Sequence, residues 1–202
     1  MTDPRHPHRS CALARFVAAA EAVVMADAVP GSAAARAAER VFDRARDAAG
    51  GTAAEASHSL PVCREWLDPA LATAAHTRRA AVARALAEIA PDLHWARRAG
   101  SETAAPAFRD GHANALILGP RGIETRDDVW IGVTLMAPGV TYADHDHPPE
   151  EVYLSLTAGE WWNAGMDWTD PGMNGLIYNP PGIRHAMRAG AAPFLALWFL
   201  PV

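Results

Sequence analysis

The second half of the sequence consists of short apolar runs separated by glycine and proline at nearly even spacing. Six such runs stand out, at residues 112–118, 129–136, 151–156, 175–178, 184–188 and 194–200. Runs of this length bounded by turn residues are typical of strands, and an even series of them is typical of all-β folds. The pattern therefore predicts an antiparallel β-barrel or β-sandwich, and it constrains the fold more than any other feature of the chain.

The first half has a different pattern. From residue 10 to residue 100 the chain is rich in alanine, the residue that forms helices most readily, with larger apolar side chains at helical spacing. We predict helices at 11–28, 32–49, 63–67 and 69–90. The three longer ones would end at Pro30-Gly31, Gly50-Gly51 and Pro91.

The change of pattern near residue 100 suggests two regions. We expect a helical N-terminal region over residues 1–100 and a β-barrel over residues 101–202, with 94–109 as a connector. The sequence leaves open whether the helical region caps the barrel mouth or forms a homodimer contact.

Charge and cysteine content limit the partners of the chain. Among 202 residues the net charge is −5 and lysine and arginine form no concentrated patch, so we expect no nucleic-acid partner. Charged residues interrupt the apolar stretch that follows residue 10, so we expect neither a signal peptide nor a membrane span. Cys11 and Cys63 have no metal-type spacing and are expected to be free thiols in a reducing compartment, which favours the cytoplasm.

The chemistry is concentrated in one segment, where His145, His147 and Glu151 have the spacing His-x-His-x3-Glu. Alternate positions of a strand share a face, so the two histidines should point the same way, as should Glu151 and Tyr153. Two imidazoles and a carboxylate from adjacent strands would form a metal site with open positions. His185, which follows a Pro-Pro-Gly turn, offers a fourth ligand.

These residues resemble the two motifs of the cupin superfamily, G-x5-H-x-H-x3-E-x6-G and P-x-G-x2-H. The closing glycine of the first motif, Gly159, comes one residue late, and Ala189 stands where an asparagine is usual. The resemblance implies a mainly β fold, a cupin (double-stranded β-helix or jelly-roll) barrel, that binds one divalent metal. The alternative is a cupin barrel with a vestigial, empty site. The residues that match the motifs are Gly139, His145, His147, Glu151, Pro180, Gly182 and His185.

Tyr142, Tyr153 and the helical N-terminal region make the chain similar to the cupin-type dimethylsulfoniopropionate (DMSP) lyases of the DddQ branch. The specific part of this likeness is confined to residues 142–185. It implies a carbon–sulfur lyase that cleaves a small zwitterion, DMSP, to dimethyl sulfide and acrylate by β-elimination. Tyr153 would be the catalytic base, with a pKa lowered by the metal, and Tyr142 the second active-site tyrosine. The implied ligands of a Zn, Fe, Mn or Co ion are His145, His147, Glu151 and His185.

The sulfonium group of such a substrate would need an aromatic wall, because ring faces attract cations. Core packing is the commoner role of any single tryptophan. Two other functions stay open: another metallocupin enzyme, such as a dioxygenase or an isomerase of a small carboxylate, or a non-catalytic small-ligand-binding cupin. The candidates for the wall are Tyr142, Tyr178, Trp130, Trp161, Trp162 and Trp168.

Overall fold

The computed structural model describes residues 9–49 and 55–202. Ser10 and Ser32 cap the first two helices, because their hydroxyls accept hydrogen bonds from the backbone N–H groups of the first turn. Both helices begin as predicted. The second ends four residues early, and the glycines predicted to end it lie outside the described residues. The helices are α1 Cys11–Asp27, α2 Ala33–Ala45, α3 Pro61–Ala74, α4 Ala80–Ile89 and α5 Pro106–Gly111.

The predicted helix beginning at Pro69 is wrong. Pro69 lies inside α3, and the chain breaks instead at residues 75–79. A proline removes one backbone donor but does not prevent the helix when packing holds both sides of it. The Thr77 hydroxyl fixes the break, since it donates to the Ala74 carbonyl and accepts from the Arg79 N–H.

Ten strands form two sheets in the described part of the chain. The larger sheet has the order β2-β1-β3-β10-β5-β8 and the smaller has the order β4-β9-β6-β7. The six predicted runs correspond to β1, β3, β5, β8, β9 and β10, whereas the prediction missed the other four strands. The strands are β1 His112–Gly119, β2 Glu124–Thr125, β3 Val129–Met136, β4 Thr141–His145, β5 Glu151–Ser155, β6 Glu160–Asn163, β7 Met166–Thr169, β8 Ile177–Asn179, β9 His185–Arg188 and β10 Phe194–Pro201.

The larger sheet is buried on both faces. On β5, Val152 and Leu154 join the core that the sheet shares with the helices, whereas Tyr153 belongs to a second core inside the barrel. Contacts such as that between the rings of Phe42 and Phe199, 5.5 Å apart, attach the helices to the outside of the sheet. The alternation predicted for β5 is confirmed, and so is the mainly β fold class, a barrel preceded by helices.

Two smaller expectations also have an outcome. Cys11 and Cys63 are free thiols, the first exposed and the second buried. Within residues 9–49 and 55–202, none of the helices has the length and apolar character that crossing a membrane requires.

Candidate metal centre

Three histidines converge inside the barrel. The antiparallel pairing of β4 with β9 puts His145 directly opposite His185, and their ring centroids are 4.2 Å apart. His147 lies two residues beyond the end of β4, with its ring 5.0 Å from that of His185. One nitrogen from each ring lies within 4.8 Å of the other two, so the cluster can hold a metal ion.

Glu151 reaches the same cluster from the other sheet. Its Oε2 lies 3.2 Å from Nε2 of His147 and 3.3 Å from Nε2 of His185. The expectation that the ligands come from adjacent strands is therefore wrong: β4 is in the smaller sheet and β5 in the larger, and the two sheets face each other across the site. The next residue, Glu150, points elsewhere, because Arg40 and Tyr178 bind its carboxylate.

Backbone contacts fix the loop that carries His147. This residue lies outside the strand, so strand alternation does not set its direction as the sequence had suggested. Instead the Gly182 N–H donates to the His147 carbonyl at 3.0 Å. Gly182 has φ +70°, a conformation that favours glycine, so the Pro-Pro-Gly turn of the second motif positions a candidate ligand of the first.

The hydrogen bonds of the imidazoles define which nitrogen carries the proton. Nδ1 of His145, His147 and His185 each lies 2.9–3.0 Å from a backbone carbonyl, which is an acceptor only. Nδ1 is therefore the protonated nitrogen, and the Nε2 lone pairs are left for the interior. Nε2 of His185 is buried and has no hydrogen-bond partner. Several lone pairs facing one carboxylate form a donor set that fits a divalent cation.

Electrostatics favour the metal-binding protonation states of this cluster. Burial, and then the neighbouring His185, lower the pKa of His145 to about 4. Burial alone would raise the pKa of Glu151, but the close approach of His147 and His185 lowers it to about 2. At neutral pH the cluster therefore contains a carboxylate and at least one neutral imidazole. Burial alone would lower the pKa of His147, but the Glu151 carboxylate raises it, so this imidazole holds a proton more readily when no cation is bound.

The cluster opens into a cavity of about 450 Å³ that both predicted tyrosines line. Tyr153 is 3% exposed, and burial followed by the charge of Glu151 raises its pKa well above the ordinary value. The sequence analysis predicted a lowered pKa for Tyr153, but that prediction assumed a bound cation beside the phenol. Burial raises the pKa of Tyr142 to about 12, and its hydroxyl accepts a hydrogen bond from Asn114 at 3.0 Å.

Only two of the six predicted aromatic residues line the cavity, Tyr142 and Trp130. Trp161 packs in the barrel core, and Trp168 lies under the Arg188 guanidinium. Trp162 and Tyr178 are likewise not among the residues that line it.

Trp198, which the sequence analysis did not single out, does line the cavity. Its side chain lies over Gly132, its partner across the β3–β10 pairing, where an added Cβ would be 2.1 Å from the indole. Sequence spacing alone carries no signal for such a pair, because the two residues are far apart in the chain.

Several polar residues of the cavity wall were also missed, among them Arg98, Asn114 and Thr134. By contrast, His112 is a satisfied core histidine: its Nδ1 donates to the Phe108 carbonyl and its Nε2 accepts from the backbone N–H of Arg98.

Comparison with known proteins gives a consistent result. The family model for dimethylsulfoniopropionate lyase matches residues 33–196. A curated protein of Cereibacter sphaeroides, named as a candidate dimethylsulfoniopropionate lyase DddL, is 37% identical over 110 residues, which cover 54% of this chain and 45% of that protein. Dimethylsulfoniopropionate lyase DddQ of Ruegeria pomeroyi is 29% identical over 131 residues, which cover 64% of each. The chain thus spans less than two thirds of either relative.

Solved structures show the same fold. The crystal structure of DMSP lyase DddQ from Ruegeria pomeroyi superposes with a TM-score of 0.68 at 20% identity, covering 96% of this chain and 93% of that one. A structure reported with the DMSP lyases RdDddP and RnDddQII gives a TM-score of 0.67 at 21% identity, covering 95% and 92%. Helices and barrel together therefore have a counterpart in these structures.

Proposed function

The chain belongs to the dimethylsulfoniopropionate lyase family, and from this premise we propose that it is a metal-dependent carbon–sulfur lyase that cleaves DMSP to dimethyl sulfide and acrylate. One observation carries the proposal. The buried phenol of Tyr153 shares a cavity with His145 and His147 and lies beside Glu151. A small ligand in this cavity could therefore contact both the Tyr153 phenol, which can act as an acid–base group, and a cation held by the histidines and Glu151.

We assign the metal to His145, His147, Glu151 and His185, which would hold one divalent ion such as Zn, Fe, Mn or Co. The support is the buried Nε2 of His185, which has no partner, and the carboxylate that faces it. When bound, the ion would draw electron density from the substrate carboxylate and favour ionisation of groups close to it.

In this mechanism Tyr153 acts as a phenolate, the form that a bound cation would favour, and it receives the proton from the carbon next to the substrate carboxylate. The electrons of that C–H bond form the double bond of acrylate, and those of the C–S bond leave with dimethyl sulfide. Because Tyr153 is buried, water has little access to its phenol oxygen or to the proton that this oxygen accepts. The faces of Trp130 and Trp198 would stabilise the sulfonium by about 0.5–2 kcal/mol each, and Tyr142 would bind the substrate as a second active-site tyrosine.

The first test is to measure dimethyl sulfide in the headspace over metal-loaded protein and DMSP. Tyr153→Phe should keep the metal and lose activity by about 100-fold or more, because a general base contributes that much. His147→Ala should lose both. Tyr178→Phe is the matched control and should stay active, since Tyr178 lies outside the cavity and binds Glu150. The proposal fails if fully metal-loaded wild-type protein releases no dimethyl sulfide. Oxygen uptake in the same sample would indicate a dioxygenase instead.

The second test measures phenol ionisation. The chain has three tyrosines, and without a metal the pKa of each lies above the ordinary value. The metal-free protein should therefore show no phenolate absorbance below pH about 10. Adding the metal should produce one phenolate at lower pH in the wild type and none in Tyr153→Phe. Equal spectra with and without metal would contradict the assignment of Tyr153 as base.

A further inference from the structure

A chain of hydrogen bonds crosses the cavity wall from β10 to β4. The indole N–H of Trp198 donates to the Thr134 hydroxyl at 3.1 Å. The Thr134 hydroxyl donates to Oδ1 of Asn114 at 2.7 Å, and Nδ2 of Asn114 donates to the Tyr142 hydroxyl at 3.0 Å. Asn114 and Thr134 are direct partners across β1 and β3, so the pairing of these strands sets the geometry.

The chain runs in one direction only. An indole N–H is a donor without an acceptor function, so the Thr134 hydroxyl must accept from Trp198 and use its own hydrogen on Asn114. If the Asn114 amide were reversed, two donors would face Thr134, and its hydrogen would lose the acceptor that it has. Thr134 is 2% exposed, so water offers little compensation for such a loss.

This direction determines what Tyr142 offers to a ligand. Its oxygen already accepts from Asn114, so its own O–H hydrogen stays available. The Arg98 guanidinium lies 5.9 Å from the centroid of the same ring, on the same cavity. A hydrogen-bond donor and a cation together favour an anionic oxygen.

We propose that Thr134 and Asn114 are positioning residues that hold Tyr142 as a hydrogen-bond donor to the carboxylate of the ligand. The inference rests on the proposed function for its choice of ligand, a small carboxylate. Thr134 and Asn114 would thus set the orientation of the Tyr142 hydroxyl, although neither residue belongs to the two metal-site motifs.

The probe is acrylate, which carries the carboxylate without the sulfonium. Its dissociation constant is measured by calorimetry on metal-loaded protein, alongside KM and kcat for DMSP. Thr134→Val frees the Asn114 amide to rotate and accept the Tyr142 hydrogen. We expect acrylate binding to weaken, and KM to rise, by about three- to tenfold, with kcat little changed. Tyr142→Phe should have a similar effect, and Thr134→Ser should behave as the wild type.

The decisive comparison is the double variant. If Thr134 acts through Tyr142, then Thr134→Val combined with Tyr142→Phe binds acrylate no more weakly than Tyr142→Phe alone. Additive effects, or unchanged acrylate binding in Thr134→Val, overturn the inference. Thr157→Val is the matched control: this buried threonine accepts from the Leu195 N–H away from the cavity, and its loss should lower stability without changing acrylate binding.

Two further outcomes separate this inference from the proposed function. If the wild type releases no dimethyl sulfide but the acrylate measurements show the expected coupling, the lyase proposal fails and the role of Thr134 stands. If dimethyl sulfide is released and the coupling is absent, only the role of Thr134 fails. Metal content and a melting curve verify each variant, and Thr134→Ala replaces Thr134→Val if the latter does not fold.

Discussion

Replacing Arg79 with methionine tests the contact between the helices and the barrel. The Arg79 side chain is fully buried, and it donates to the Asp27 carboxylate at 2.8 Å, at the end of α1. It also donates to the Gly175 carbonyl at 2.9 Å, before β8, and to the Ser155 carbonyl at the end of β5. A single guanidinium therefore joins two helices to the larger sheet.

Arg79→Met should lower the free energy of unfolding mainly because it leaves the Asp27 carboxylate buried without its Arg79 partner. Methionine retains much of the apolar stem, but the Asp27 carboxylate stays only 2% exposed. Breaking one side of a buried ion pair costs about 3–5 kcal/mol. Arg78 lies 3.3 Å from Asp27 and is half exposed, so it offsets part of the loss. We expect a loss of about 3 kcal/mol in the free energy of unfolding, which lowers the melting temperature by about 6–12 °C in a chain of this size.

The assay is thermal unfolding followed by circular dichroism and by tryptophan fluorescence. Arg15→Met is the control, because the Arg15–Glu88 pair is exposed and such pairs contribute little to stability. Adding Asp27→Leu to Arg79→Met should restore part of the stability, because it removes the buried carboxylate that has lost its partner. Five of the seven tryptophans lie after residue 100, so the two signals report different regions. Equal melting temperatures for Arg79→Met and Arg15→Met would refute the reasoning.

Three other perturbations have defined outcomes. Removing the metal by chelation should lower the melting temperature of the wild type. The loss in the free energy of unfolding is about 2.7 kcal/mol if the ion had been present at a hundred times its Kd. Chelation should leave the melting temperature of His185→Ala unchanged. Hydrogen bonding to Arg9 outweighs burial and lowers the pKa of Glu124, so its stabilising effect is present above the unfolded pKa and is lost as the pH falls through the folded pKa; Glu124→Gln should cost more stability in urea unfolding at pH 7 than at pH 3. Gly132→Ala would place a Cβ 2.1 Å from the Trp198 ring, and we expect overpacking of about 1–3 kcal/mol with a raised KM for DMSP.

Local sequence patterns predicted the strands whose side chains are mostly buried. β3 was predicted to the residue because it is an apolar run with turn residues on both sides. β4 is not among the predicted apolar runs because its exposed polar residues and His145 interrupt any apolar pattern, and only its pairing with β9 makes it a strand. The position of the break after α3 was predicted wrongly for a related reason. The break places Arg79 in its buried contacts, and these contacts join residues that are far apart in the sequence.

The same distinction applies to the site. His145, His147 and Glu151 were identifiable because ligand residues at short, fixed spacing are rare by chance. Thr134 and Trp198 were not, because a threonine or a tryptophan in a strand is ordinary, and its polar contacts arise only when β1, β3 and β10 pair. The tyrosines could be placed beside the cluster, but the direction of their pKa shifts required the burial that only the fold shows.

Because the candidate ligands are divided between the two sheets, the order of maturation is constrained. A chain that has formed only the larger sheet presents the carboxylate, and the smaller sheet supplies the imidazoles once β9 has docked beside β4. All four candidate ligands are together only after the two sheets have packed against each other. A metal ion held by all four residues would therefore bind after the barrel has folded and would not guide its folding.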